Sequence, residues 1–502
     1  MKTRLLLALF STALSGLGSP LQLRAEEAPQ AVSPAALTPE DVRSDFVFLY
    51  RTLREAHFDL YAHRSRSDYD AFYRTLLAAT KEPMDAAAVA ILFQKFVAYG
   101  RIGHARIDAP VAAFVAYVRG GGTFLPLFLR VDEGRVVLTE TADSEGRLRA
   151  GTEILAIDDV PVDDLLERLS AYVSAERPYM AHAQMEASFP ALFWIEHGNL
   201  PMVTVTARRD GRIVSAPVRA LTLAERAAIR TKFPVPKPPV DFATREYRPL
   251  ADGIAYLRPG PFFNIEQPAD GAAPSYEASS FRAFIDDSFH KILASGATDL
   301  LIDLRGNPGG DNSFSDPMVA WFADRPFRFA SSFMLKASAA TKADYARQRA
   351  AGAPIDAGFR RQMDEEGRQP NGTRYRYDLP MVPPRAEPRF HGHVWILVDR
   401  HSYSNAASVA ALVQDYGFGT ILGEETADVA SNYASVQHFT LPRTGIVVTY
   451  PKSHFIRPNG KDEIVGVRPD VPIGRPAVTA DGDTVLDEAL RIIGQAPGSA
   501  RR

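Results

Sequence analysis

The chain has 502 residues, 46% of them apolar and 23% charged, a globular composition long enough for roughly two to four domains. Its 57 Lys and Arg against 60 Asp and Glu leave no basic excess, which excludes nonspecific nucleic-acid binding. The absence of cysteine excludes disulfides, thiol catalysis, Cys-ligated zinc and a lipoprotein anchor.

Lys2 and Arg4 precede an apolar stretch from Leu5 to about Leu17, then small and polar residues to Ala25. That is the pattern of a secretory signal peptide over 1–25, too polar to remain as a membrane span. Once cleaved, it implies an exported protein, periplasmic or extracellular in a bacterium, with no stable membrane span. Residues 26–37 are Ala/Pro-rich and read as a disordered linker.

Thr38-Pro39-Glu40-Asp41 carries an N-cap, a Pro at the first helical position and an acid at the third. Val42, Phe46, Leu49, Tyr50 and Leu53 continue it at helical spacing. Two more helices are predicted, from Ser67 and from Asp85. A helical region over 38–117 results, and it carries Gly103-His104-Ala105-Arg106-Ile107.

Beyond it the period changes to that of strands. Val136-Val137-Leu138 and Gly151 to Ile157 are predicted strands, Val160 to Leu169 leads into a helix, and Asp210-Gly211 turns a hairpin. The run from Leu148 to Val162, with Ala150-Gly151, Ile154-Leu155 and Ile157-Asp158, resembles the centre of a PDZ domain. A PDZ-like β-rich domain is therefore expected over 118–222. That resemblance makes Gly120-Gly121-Gly122-Thr123-Phe124-Leu125-Pro126-Leu127 a candidate carboxylate loop, with Phe124 and Leu127 lining a substrate pocket. The same glycines suit a hinge between domains.

From 240 to 493 strands and helices alternate, which argues an α/β layered core with parallel strands. Leu300 to Leu304 is a strand buried on both faces, leading into Arg305-Gly306-Asn307-Pro308-Gly309-Gly310. This Gly-rich loop lacks the Lys-Ser/Thr of a phosphate loop, so its exposed N–H groups suit an oxyanion hole. A second buried strand ends at Val398, and Asp399-Arg400-His401-Ser402-Tyr403-Ser404 turns directly into a helix. A serine there is either a nucleophile at a positive helix end or a simple cap.

With the runs 303–310 and 398–423 side by side, the chain resembles the S41 serine peptidases, the family of tail-specific proteases and the tricorn core protease. The resemblance implies a multidomain α/β fold with a ClpP/crotonase-like core, no cofactor or metal, and peptide or protein substrates. By it Ser404 takes the nucleophile position. The tail-specific branch uses a lysine in Gly-Glu-x-x-x-Gly-Lys, but here Gly423-Glu424-Glu425-Thr426-Ala427-Asp428-Val429 has none, and Lys452 is out of register. The tricorn-like branch uses a His and a Glu, which align with His104 and with Glu463 in Glu463-Ile464-Val465-Gly466-Val467. The oxyanion hole falls to Gly309 or Gly310 with Asn405, whose side chain the resemblance also assigns to substrate selection. The alternative is a non-catalytic ligand- or peptide-binding protein on the same fold.

Overall fold

In the computed structural model, which describes residues 37–235, 241, 244–265, 277–350, 352, 355 and 357–496, the first helix is Pro39–Ala56. The leader over 1–25 and all but Leu37 of the linker lie outside the described residues. Thr38 accepts the Asp41 N–H and caps the helix as its sequence predicts, an arrangement worth about 1 kcal/mol. Its buried stripe packs on Val89, Phe93 and Phe96 of helix Ala86–Ala98 and on Val448 and Tyr450 of strand Val447–Ile456. The helical region thus rests on a sheet formed some 400 residues later, roughly a whole chain away. A further helix, Ala109–Arg119, follows the His104 turn.

The middle of the chain is an antiparallel sheet in the order Leu129–Asp132, Arg135–Leu138, Glu153–Ile157, Met202–Arg209 and Arg212–Arg219, with Val160–Pro161 paired on the third strand. Asp210 and Gly211 both have positive φ, as a two-residue hairpin turn requires. Helices Val162–Ser170 and Pro178–His197 cover the sheet, the second filling the long interval before the hairpin.

The last part holds two sheets. Val471–Pro472, Thr420–Gly423, His393–Val398, Asp299–Asp303 and Ile254–Arg258 run parallel, with Glu246–Pro249 antiparallel at one edge. Every residue of Asp299–Asp303 is buried. One face carries helices Ser279–Ala294 and Asn405–Tyr416, the other the C-terminal helix Thr484–Gln495, which is the layered arrangement the alternating pattern predicts. The other sheet is antiparallel, in the order Arg374–Arg376, Ser332–Lys336, Val447–Ile456 and Asn432–Thr440. Among the described residues no helix is long and apolar enough to cross a membrane.

Candidate active site

The strand His393–Val398 ends in a turn that is held from several sides. Asp399 Oδ1 accepts the N–H groups of Gly306 and His401 at 2.9 and 3.0 Å. Ser402, fully buried, donates to the Leu304 carbonyl at 2.7 Å and accepts the Asp399 N–H. Ser404 follows at φ 53° and ψ −121°, a conformation costing a non-glycine residue about 1–3 kcal/mol. It occupies the N-cap position of helix Asn405–Tyr416 but makes no side-chain cap. Its Oγ instead lies 3.1 Å from Nε2 of His104.

His104 arrives from the other side of the molecule. Its turn is stitched to strand Val447–Ile456 by reciprocal N–H···O bonds between Arg106 and Thr449, at 3.1 and 2.9 Å. The imidazole is buried beside the Tyr403 ring. Burial first, then the Arg106 charge, push its pKa down to about 3, while the Asn432 side chain and the Tyr433 carbonyl oppose this. The ring is therefore neutral at ordinary pH. Nε2 can accept a proton from Ser404 only in the tautomer with hydrogen on Nδ1. Nδ1 and Asn432 Oδ1 are both buried without a hydrogen bond. Asn432 Nδ2 donates to Asp428 at 2.9 Å, and Asp428 also accepts the Ser404 N–H at 2.6 Å.

The Gly-rich loop lies against the serine. A Cβ on Gly309 would meet Ser404 Cβ at 2.8 Å and the Asn405 nitrogen at 2.6 Å. The Gly309 N–H, however, is donated to Asn307 Oδ1 at 2.9 Å, so Gly309 gives closeness and not a donor. Its neighbour supplies the open group. Phe262 N–H bonds to the Gly309 carbonyl and Asp311 N–H to the Phe262 carbonyl. Among the described residues the Gly310 N–H has no acceptor, and the Asn405 N–H is one of the helix's unpaired first donors. The pair expected as an oxyanion hole is thus narrowed to Gly310 and Asn405.

Four other expectations are corrected. Glu463 is exposed, and among the described residues it has no hydrogen bond or ion pair with His104 or any other group, whereas His104 is buried. Phe124 is buried against Phe114, Val118 and Ala191, and its backbone pairs with Leu221. Leu127 is buried in the core under the middle sheet. Neither lines a groove. The Asn405 side chain is buried and donates to Ser315 Oγ at 2.9 Å, so its amide is committed to the helix Asn312–Val319.

Three residues near Ser404 and His104 are not among those the sequence singles out: Asn432, Asp428 and Glu176. Asp428 had a signal, because it adjoins Val429, the position aligned with the lysine of the tail-specific branch. Glu176 had none. It precedes helix Pro178–His197 and accepts the Gly103 N–H at 2.9 Å.

A sharp serine turn facing a buried histidine, with two unpaired N–H groups beside it, belongs to the class of sites that carry out acyl transfer. Residues 273–473 match the model of peptidase family S41, which bears out the resemblance read from the Gly-rich loop and the serine turn. Mature CPAF complexed with lactacystin is similar in structure, with a TM-score of 0.62 and 16% identity over 91% of this chain and 98% of that one. A second structure of mature CPAF gives 0.56 and 15% over 86% and 92%. At that identity the likeness is one of fold. No curated protein matches the chain.

Proposed function

We propose that this chain is an exported serine peptidase in which Ser404 attacks the scissile carbonyl and His104 is the base. The observation that carries the reading is the 3.1 Å contact between Ser404 Oγ and a neutral, buried His104 Nε2. As Oγ bonds to the carbonyl carbon, its proton passes to Nε2. The oxyanion formed faces the N–H groups of Gly310 and Asn405 at the positive end of a helix. The imidazolium then protonates the departing amine, leaving an acyl-enzyme. Water attacks that ester through the same base and restores the serine. Asn432 is the polar side chain next to His104, with Asp428 behind it. This amide takes the orienting role that the sequence assigned to Glu463.

The leader over 1–25 supports export to the periplasm or beyond. The middle sheet with helix Val162–Ser170 supports a PDZ-like unit that selects substrates, though not through Phe124 or Leu127. Reaction with a fluorophosphonate probe tests the central claim. The purified protein should label at Ser404 and hydrolyse peptides, and Ser404→Ala should do neither. A protein that neither labels nor cleaves would overturn it in favour of a binding role.

A further inference from the structure

Two carboxyl groups flank the catalytic pair; the acyl-transfer reading gives Asp428 a place behind Asn432 and gives Glu176 none. Each is bonded to the backbone of a catalytic turn: Glu176 Oε1 to the N–H of Gly103, next to His104, and Asp428 Oδ2 to the N–H of Ser404. Asp428 is fully satisfied, accepting also from Val429 N–H and Asn432 Nδ2. Glu176 is not. Its Oε2 atom is buried without a hydrogen bond, near the point where a Cβ on Gly103 would sit and where the Tyr403 hydroxyl also approaches. The nearest cation, Arg177, is turned away, donating to Glu425 and to the carbonyls of Thr426 and Ala427.

We propose that Glu176 is a positioning residue that holds the His104 turn, and that with Asp428, which holds the Ser404 turn, it makes up a buried carboxyl pair that retains one proton. The proposal rests on the peptidase reading for its consequence in catalysis, but not for the proton itself. Two buried acids without a dedicated cation cannot both ionise at low cost. Burial, then repulsion from Asp428, push Glu176 up to about 8, with the Gly103 N–H and Arg177 opposing. Burial pushes Asp428 up to about 6 against the N–H groups of Ser404 and Val429, Asn432 and Arg177. The other titratable and charged groups near the pair are Tyr403, which interacts with both acids and with Arg106; Tyr433, which interacts with Glu176; and His104 itself. Tyr403 is held neutral by burial. The two therefore ionise in separate steps, Asp428 first, and the one proton that remains near neutral pH sits on Glu176.

The same group then gives a stability signature. Between its unfolded value and about 8, Glu176 binds a proton in the folded chain that it releases on unfolding. Rising pH through that window must therefore lower stability.

The test compares wild type with Glu176→Gln, Glu176→Ala and Ser404→Ala in the full-length purified protein from pH 5 to 9. Fluorophosphonate labelling of wild type should decline above about pH 8. Glu176→Gln, which cannot ionise, should keep the neutral-pH rate within about threefold and lose that decline. Glu176→Ala should label about tenfold more slowly at all pH values, with KM for a peptide little changed and kcat reduced. The thermal midpoint of wild type should fall relative to Glu176→Gln as pH rises from 5 to 9. Superimposable pH profiles for wild type and Glu176→Gln, or parallel thermal midpoints, would overturn the retained proton. Full-rate labelling of Glu176→Ala would overturn the positioning role. A wild type that fails to label at every pH would instead overturn the peptidase reading, and the thermal comparison would still decide the proton.

Discussion

The Nε2 of His104 and the Oγ of Ser404 stand 3.1 Å apart although 300 positions of sequence separate them. The contact exists because the helical region packs on a sheet from the end of the chain, which brings the His104 turn across to the serine. Ser404 meets it in a positive-φ conformation that a serine adopts only under constraint. Replacing Ser404 by glycine should therefore stabilise the protein by about 1 kcal/mol while ending probe labelling. Denaturant unfolding checks this, and a less stable Ser404→Gly would show that the turn is unstrained.

Ser402, two residues earlier, has a different part. Its hydroxyl is buried between the Leu304 carbonyl and the Asp399 N–H. Ser402→Ala should keep the labelling reaction but lose about 1–3 kcal/mol of stability, because two buried backbone groups lose a partner. Paired melting and labelling curves decide it.

Gly309 touches the nucleophile from the other side. An alanine there would press its methyl on Ser404 Cβ and the Asn405 nitrogen at a φ of 87°. Gly309→Ala should lower kcat by about a hundredfold, since the shift moves both the serine and an oxyanion donor. Rates close to wild type would mean that the loop yields instead.

Glu463 separates the motif from the geometry. It is exposed and, among the described residues, unpartnered, so Glu463→Gln should change kcat/KM by less than about threefold. Asn432→Leu, by contrast, should depress kcat strongly, because His104 loses its polar neighbour. The reverse ranking of the two variants would restore Glu463 as the base's partner.

The acid limb of activity should lie near pH 6 and belong to Asp428, not to the imidazole. An ordinary histidine titrates at about 6.5, but burial holds His104 neutral to about 3. As pH falls through 6.5 the unfolded chain binds a proton at this position and the folded chain does not. His104 thus favours the folded state above its unfolded pKa and costs stability progressively down toward pH 3. Imidazole resonances followed by NMR should show His104 unchanged between pH 5 and 8.

The Ser404 and His104 turns were legible because each lies in a short string with a local pattern of its own: a strand running into a helix, and a turn closing a helix. The partners of those groups are a tertiary matter. Asn432 reaches His104 only because strand Asn432–Thr440 pairs with Val447–Ile456, to which the His104 turn is also bonded. Phe124 and Leu127 illustrate the converse. The alternating burial of Leu125, Leu127, Leu129 and Val131 is the pattern of chain facing a core, and it outweighed the glycines before it. The centre of the parallel sheet was legible, since Asp299–Asp303 and His393–Val398 carry continuous apolar runs, whereas its two-residue edge Val471–Pro472 carries no such run.

The short connection Ala175–Arg177 grips the site at both ends: Glu176 holds the turn of the base, and Arg177 holds the loop 425–427 that leads to Asp428. The first grip needs the middle unit seated on the helical region, the second needs it seated on the final part of the chain. A copy still emerging from synthesis, or caught half assembled, has its serine turn without a base and its base without an anchor. On the proposed peptidase reading such a copy would be unable to cleave the unfolded chains around it, and completing the fold would also arm the site.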